Sequence, residues 1–419
     1  MKSFSMYKRS AIAICLIVCC GVLLTRCINT QNDEALAEKK LSFQQFAGSV
    51  SCAGCHKNIY DTHIHTAHYL TSQPAGETSI KGSFEPGKNS FSFSARTQVK
   101  MEKRDSGFYQ AAYTDGVEKA LHRFDIVIGS GTKGQTSVYW HDNRLYQLPV
   151  SYFTPADQWS NSPGYPMRVI FNRPVTARCL ECHSTYINVI SPPNVEPEGF
   201  DPATMIYGVD CEKCHGPAAA HVAYQKENPA ATTAKYVVNP SGFSRQQQLE
   251  ACALCHGGRL QRIKPAFSFV PGEKLSTYFI VDTTPPNLAV IDLHGNQYGL
   301  LRASKCFNVS GTLTCNSCHN PHEIEKGKLA LYSQSCAGCH NTGTHGNGKL
   351  CKMSDTLGSA ITANCIDCHM PAMPSRAIAV NLPGVSTPVS AYVRSHFISI
   401  YADETKKFMK ARKGKAVSH

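Results

Sequence analysis

A five-residue pattern, Cys-x-x-Cys-His, occurs seven times in this 419-residue chain. The copies are Cys52-Ala-Gly-Cys55-His56, Cys179-Leu-Glu-Cys182-His183, Cys211-Glu-Lys-Cys214-His215 and Cys252-Ala-Leu-Cys255-His256, then Cys315-Asn-Ser-Cys318-His319, Cys336-Ala-Gly-Cys339-His340 and Cys365-Ile-Asp-Cys368-His369. Two thiols at this spacing can form thioethers to the vinyl groups on one edge of a porphyrin, and the adjoining imidazole is then placed to ligate its iron. The pattern reads as covalent c-type haem attachment. Zinc asks for four ligands, usually from two paired Cys-x-x-Cys units, and gives no reason for the His. A disulfide gives none either. The expectation is seven covalently bound haem c groups, with the fourteen motif cysteines as attachment points and His56, His183, His215, His256, His319, His340 and His369 as proximal iron ligands.

A six-coordinate haem needs a second axial ligand. Eleven further histidines are available, enough for seven haems. A His three positions after a proximal His lies on the same side of that haem and cannot cap its opposite face. His322, in Cys318-His319-Asn-Pro-His322, is therefore assigned to a neighbouring haem, and His221, six positions after His215, is read in the same way. The nominated second ligands are His68, His221, His322, His396, His294, His345 and His122. His63 and His65 stand as neighbours of a better candidate, His141 falls on a strand-like run, and His419 is a free terminus. Met370 and Met373 follow the last motif. An axial Met there would raise that haem's potential; otherwise both pack against porphyrin. Cys306 and Cys351 remain outside the motifs and the N-terminal segment. In an oxidising compartment a disulfide is the expectation for them, with iron ligation and free thiols as alternatives.

The spacing of the motifs sets the organisation. The first and second motif start 127 positions apart, and later intervals are 32, 41, 63, 21 and 29. This gives a first haem site at 46–75, an insertion at 76–172, a six-haem region at 173–400 and a basic tail at 401–419. Haems so dense must pack edge to edge or face to face, and porphyrin would supply much of the apolar core. The insertion reads as β structure. FSFSARTQVKMEKRDSGFYQAAYT alternates around a turn at Asp105-Ser106-Gly107, and Phe124–Gly129, Thr136–His141 and Arg144–Val150 are strand-like, with a hairpin turn at His141-Asp-Asn-Arg144. Gly129-Ser-Gly131-Thr-Lys-Gly134 fits neither phosphate-loop spacing and is read as a turn. Around the motifs, frequent Pro and Gly predict short helices and irregular connections.

Residues 1–26 read as an export signal: a basic head, then an apolar run from Ala11 to Leu24 that is short for a membrane span. Cys27, after Leu24-Thr25-Arg26, and Cys20 are candidate lipidation sites, and 27–45 would be a tether giving membrane attachment through the N-terminus. A periplasmic or cell-surface location in a Gram-negative envelope follows. Hydrophobic residues at 42% and charged residues at 17% exclude a disordered polyelectrolyte and a membrane bundle. The formal charge is +12, with Lys2, Lys8, Arg9 and Arg26 inside the signal. Seven ferric haems with ionised propionates would add roughly −1 each, which takes the exported chain close to neutral. No basic stripe with interleaved aromatics is present, so nucleic acid is not an expected partner.

With CEKCHGPAAAH and CHNPH among its motifs, the chain resembles the multihaem cytochromes c related to the tetrahaem cytochrome c of ammonia oxidisers, and more distantly the pentahaem nitrite reductases. FDIVIGSG, LYQLPVSYF, SPGYP, GVDCEKCHGPAAAH and CIDCHMP resemble a group of exported bacterial multihaem cytochromes, over about residues 50–400. The resemblance implies a multihaem cytochrome c fold: mainly short α-helices and irregular loops packed around haems, here with an inserted β-rich subdomain. It also implies axial roles for His68 in HIHTAH and His396 in RSHFISI, and electron transfer with other cytochromes or membrane quinol-linked complexes as redox partners. The nitrite reductases use a Cys-x-x-Cys-Lys haem that has no counterpart here. Two functions are open at this level. One is an electron-transfer protein with mostly bis-His haems. The other is an oxidoreductase acting on a small nitrogen or sulfur oxyanion at one open haem, where Arg168, Arg173, Arg178, His65 or His141 could stabilise charge or deliver protons. The His count and the absence of a specified open site favour the first.

Overall fold

The computed structural model describes residues 40–192, 195–281, 291–340, 351, 353, 356 and 363–416. The signal, most of the tether, Cys20, Cys27, His345 and His419 lie outside these residues. Met1–Leu41 and Ser42–His419 are separate units, and the described fold belongs to the second. Among the described residues no helix is long and apolar enough to cross a membrane.

Alternating apolar residues between the first two motifs form eleven strands: β1 (Ser72–Pro74), β2 (Ser90–Ser92), β3 (Thr97–Arg104), β4 (Gly107–Thr114), β5 (Val117–Arg123), β6 (Ile126–Ile128), β7 (Gly134–His141), β8 (Arg144–Gln147), β9 (Val150–Phe153), β10 (Gln158–Asn161) and β11 (Arg173–Pro174). Strands β2-β3-β4-β5 make one antiparallel meander. In a second, seven-stranded sheet the order is β1-β6-β7-β8-β11, and β9 pairs both β7 and β10. The turns follow local chemistry. Arg104 pairs with Gly107 across Asp105-Ser106. His141 pairs with Arg144 across Asp142 and Asn143, whose φ values of 49° and 59° suit a tight hairpin turn. Gly129–Gly134 is indeed a turn, which joins β6 to β7.

The two sheets bury one core, with Phe91, Phe93, Val99, Met101 and Ala112 from the meander against Phe124, Leu148, Val150, Tyr152 and Trp159. Gln110 fixes their register. Fully buried, it donates Nε2–H to the Val150 carbonyl at 2.7 Å and accepts the Val150 N–H at 3.2 Å. Buried amide groups must find partners, so this reciprocal pair locks β4 onto β9. The β part begins inside the segment expected to be the first haem site, because Ser72 already belongs to β1. Strand β1 thus ties the residues after His68 to the insertion, and β11 ends just before the second motif.

The rest of the chain is helical around the motifs: α1 (Ser49–Ala53), α2 (Lys57–His63), α3 (Ala177–His183), α4 (Cys211–His215), α5 (Ala219–Glu227), α6 (Arg245–His256), α7 (Gln297–Arg302), α8 (Lys305–Val309), α9 (Leu329–His340), α10 (Ile366–His369) and α11 (Ala402–Ala416). The region is less irregular than expected. Antiparallel hairpins form from β12 (Ser184–Val189) with β13 (Phe200–Tyr207), from β14 (Gln261–Arg262) with β15 (Phe279–Ile280), and from β16 (Ala372–Val380) with β17 (Val389–Arg394). Two of these hairpins begin within three residues of a motif His, where Ser-Thr-Tyr-Ile-Asn-Val and Arg-Ala-Ile-Ala-Val carry β-branched residues that suit a pleated surface. The basic tail is also helical, as α11.

Candidate haem-binding network

Each motif sits on a helical turn, and in five of them the His is the last residue of its helix: His183, His215, His256, His340 and His369. Positions i, i+3 and i+4 of a helix share a face, which brings both thiols and the imidazole to one side. In the others the same turn is closed by hydrogen bonds, from His56 N–H to Cys52 O at 2.8 Å and from His319 N–H to Cys315 O at 3.0 Å.

The motifs are brought together in a definite order. Thiols of different motifs are hydrogen-bonded in four places: Cys52 with Cys211, Cys182 with Cys255, Cys252 with Cys315, and Cys336 with Cys365. Cys214 also acts on Cys252, and Cys318 on Cys336, through their charges. The hydrogen-bonded thiols therefore join the first motif to the third, the second to the fourth, the fourth to the fifth and the sixth to the seventh. Arg178 strengthens the contact of the second with the fourth. It donates to the Cys182 sulfur at 3.2 Å and to the Leu254 carbonyl at 2.6 Å, and lies over the Phe279 ring. The Cys255 thiol and this guanidinium hold Cys182 down to about 7.

An iron between two imidazoles, with metal–nitrogen bonds of about 2.0 Å and about 1.1 Å from each nitrogen to its ring centre, separates the ring centres by about 6.2 Å. Three motif histidines meet a nominated partner at this separation. His215 and His322 stand 6.1 Å apart with planes at 17°. His68 and His256 stand 6.2 Å apart at 68°, and His319 and His396 stand 5.9 Å apart at 27°. His294 acts on His183 through its charge. Burial holds His183, His256 and His396 down to about 4, so they are neutral near pH 7, the form that ligates metal.

The second nitrogen of several rings is already engaged, which leaves Nε2 for a metal. His215 Nδ1–H donates to the Val238 carbonyl at 3.0 Å and His369 Nδ1–H to the Ser399 carbonyl at 2.8 Å; His183 Nδ1 lies 2.9 Å from Thr71 Oγ1. Side chains also aim the partner segments. Asp292 accepts the His294 N–H and binds Ser375 and Ala377 of β16. Ser304 donates to the His396 carbonyl and accepts the Ile398 N–H. The His68 carbonyl accepts the Val209 N–H at 2.9 Å. The neighbouring Gly208 has φ +67°, and a Cβ there would lie 2.0 Å from the Tyr69 carbonyl oxygen, so only glycine allows this approach.

Not every nominated residue lies beside a motif. His221 is on α5 with Nδ1–H donated to the Lys235 carbonyl at 2.8 Å. His122 lies in β5 with the Tyr139 and Phe171 rings each 4.3 Å away, which gives it aromatic neighbours rather than a proximal imidazole. The alternation of β5 carries it to that side of the sheet. His141 is exposed beside Asp142. Met373 stands 40% exposed on β16. Cys306 and Cys351 are both free thiols, against the expected disulfide. Cys306, on α8, neighbours Cys339, whereas Cys351 neighbours Cys368. Arg173 is exposed over the Tyr165 ring. His63 is 7% exposed, and among the described residues neither of its ring nitrogens has a hydrogen-bond partner. Its ring lies 6.1 Å from His322 and 5.9 Å from Tyr69. Unpaired buried nitrogens beside candidate ligands fit a site completed by a bound cofactor. Among the described residues no three His, Cys, Asp or Glu side chains converge as a site for a bare metal ion.

Residues 167–216, which hold the second and third motifs, match the family described as cytochrome c554 and c-prime. No curated protein matches the chain. Among solved structures, the outer cell wall cytochrome OcwA superposes with a TM-score of 0.50 at 15% identity, covering 87% of this chain and 81% of that one. An undecahaem cytochrome from the S-layer of Carboxydothermus ferrireducens gives a TM-score of 0.40 at 16% identity, covering 89% of this chain and 54% of that one. The chain shares the fold of that outer cell wall cytochrome. The family match supports covalently bound haem c as the cofactor.

Proposed function

We propose that this chain is an exported heptahaem c-type cytochrome that passes electrons between redox partners. The observation that carries the reading is the set of three imidazole pairs at 5.9–6.2 Å, each joining a motif histidine to a histidine outside the motifs. Bound haem c supplies a one-electron couple at each motif; ligand type, burial and hydrogen bonding tune it. The chain's own residues do the rest. The motif cysteines would hold the seven haems, and each motif histidine would ligate the iron of its own haem. His322, His68, His396 and His294 would supply the second ligand to the third, fourth, fifth and second haems. His221, whose helix α5 packs against Phe43–Gln45 just ahead of the first motif, serves the first haem. The likeness to an outer cell wall cytochrome supports a place outside the cytoplasm, with the N-terminus as membrane tether and other cytochromes or quinol-linked membrane complexes as partners.

Intact mass and electron paramagnetic resonance of the ferric protein test this together. The expected result is seven haem additions, low-spin signals only, and no optical change with nitrite or carbon monoxide. Fewer haems would overturn the count. A high-spin signal with ligand uptake would replace the conduit by an oxidoreductase with one open haem.

A further inference from the structure

Asp210 and Glu212 flank Cys211, the first attachment residue of the third motif, and both are buried, 6% and 4% exposed. Asp210 caps α4 by accepting the Cys211 N–H at 2.7 Å. Glu212 reaches out of its own motif. Its Oε1 accepts the N–H groups of Ala47 and Ala218 and its Oε2 that of Gly48, each at 2.8 Å. Ala47 and Gly48 lead into α1, which carries Cys52, the thiol hydrogen-bonded to Cys211. The Glu212 carboxylate is thus a staple between the first and third motifs. It is also an unbalanced charge. Among the described residues neither Asp210 nor Glu212 has an ion-pair partner; Lys213 turns away, with its ammonium 5.1 Å over the Phe267 ring. The acids of two other motifs do have partners: Glu181 has Arg178 at 3.6 Å, and Asp367 has Arg394.

Backbone amides stabilise a carboxylate without cancelling its charge, and a buried charge acts at longer range than one screened by water. Fixed negative charge favours the oxidised, more positive state of a nearby iron. We propose that the buried carboxylates of Asp210 and Glu212, placed between the first and third motifs with no ion-pair partner among the described residues, make the haems of those motifs the last to be reduced. This rests on the haem reading above and adds an order of reduction to it.

The test is a spectroelectrochemical redox titration of the full haem-loaded protein and of its D210N and E212Q variants, with haem counted by mass. Asn caps a helix as well as Asp, so D210N keeps the fold if E212Q loses the staple. The expected result is an unchanged haem count and a positive shift of the last-reduced component by tenfold or more in its redox equilibrium, which is 59 mV for one electron. D61N, which removes an exposed carboxylate on α2 near the first motif, leaves that component in place. A last component that stays put in both D210N and E212Q, or that moves equally in D61N, overturns the inference while leaving the haem reading intact. Absence of haem from the first or third motif overturns both.

Discussion

Replacing His322 with Gly should open the third haem and leave the fifth, to which His322 is adjacent in sequence, untouched. The ring centres of His215 and His322 are 6.1 Å apart. With about 1.1 Å from each centre to its nitrogen, rings turned nitrogen to nitrogen at this separation would leave about 3.9 Å between the nitrogens, room for one metal held by two imidazoles at about 2.0 Å each. His319 makes its own pair with His396. H322G should therefore convert about one-seventh of the iron from low to high spin, let that fraction bind carbon monoxide, and return to low spin when free imidazole is added. H396G should do the same at a different iron. Because the two ligands serve separate haems, the double variant should open about two-sevenths, the sum of the singles. The assay is quantified electron paramagnetic resonance with optical carbon monoxide binding. A double variant that opens only one haem would place both histidines on the same iron, and an H322G protein that stays wholly low-spin would refute the pairing outright.

Three further substitutions probe what positions the network. Glu198 accepts the Ala177 N–H at the start of α3 and pairs with Arg262 at 2.8 Å; E198A leaves a half-buried guanidinium unpaired and should cost about 2 kcal/mol in chemical denaturation, and a loss below about 0.5 kcal/mol would show that the pair holds nothing. Q110L strands the buried N–H and carbonyl of Val150 and should cost about 2–4 kcal/mol with the haem count unchanged; unchanged stability would mean the sheets do not depend on this bridge. G208A puts a Cβ against the Tyr69 carbonyl at positive φ, a conformation that costs an L-residue about 1–2 kcal/mol before the clash is counted. It should displace the His68 segment and give a high-spin signal from the fourth haem, whereas a wild-type spectrum would show that this approach is not needed to seat His68.

The residues that hold chemistry were the most legible, because thiol and imidazole spacing is local and its demands are strict. Local too were the β hairpins at Asp105–Gly107 and His141–Arg144, where turn residues and alternation agree. The assignment of His322 away from its own haem rests on a geometric constraint within four residues, and its ring lies 6.1 Å from that of His215, whose motif starts 104 positions before that of His319. What could not be read is long-range. Nothing near His122 in the sequence announces that Phe171 packs against its ring. His63 and His68 sit in one run, and only the fold shows that one is sealed in without partners while the other meets His256. The hairpins after the second and seventh motifs were masked by Pro and Gly, which mark breaks but do not deny strands between them. Glu212 carries no spacing signal at all, since its three amide donors come from two segments that only the folded chain brings together.

Cys182 and Cys255 bring the second motif against the fourth, which also carries Cys252 beside Cys315 of the fifth. In the proposed seven-haem protein the fourth haem is then a junction. Two donors could load electrons at separate ends and drain them through a third, and losing the second haem would cost one terminal while traffic between the fourth and fifth continued. Losing the fourth would separate the second from the fifth. A straight wire of the same seven groups would offer one way in and one way out; this layout would let a single small protein merge or divide currents.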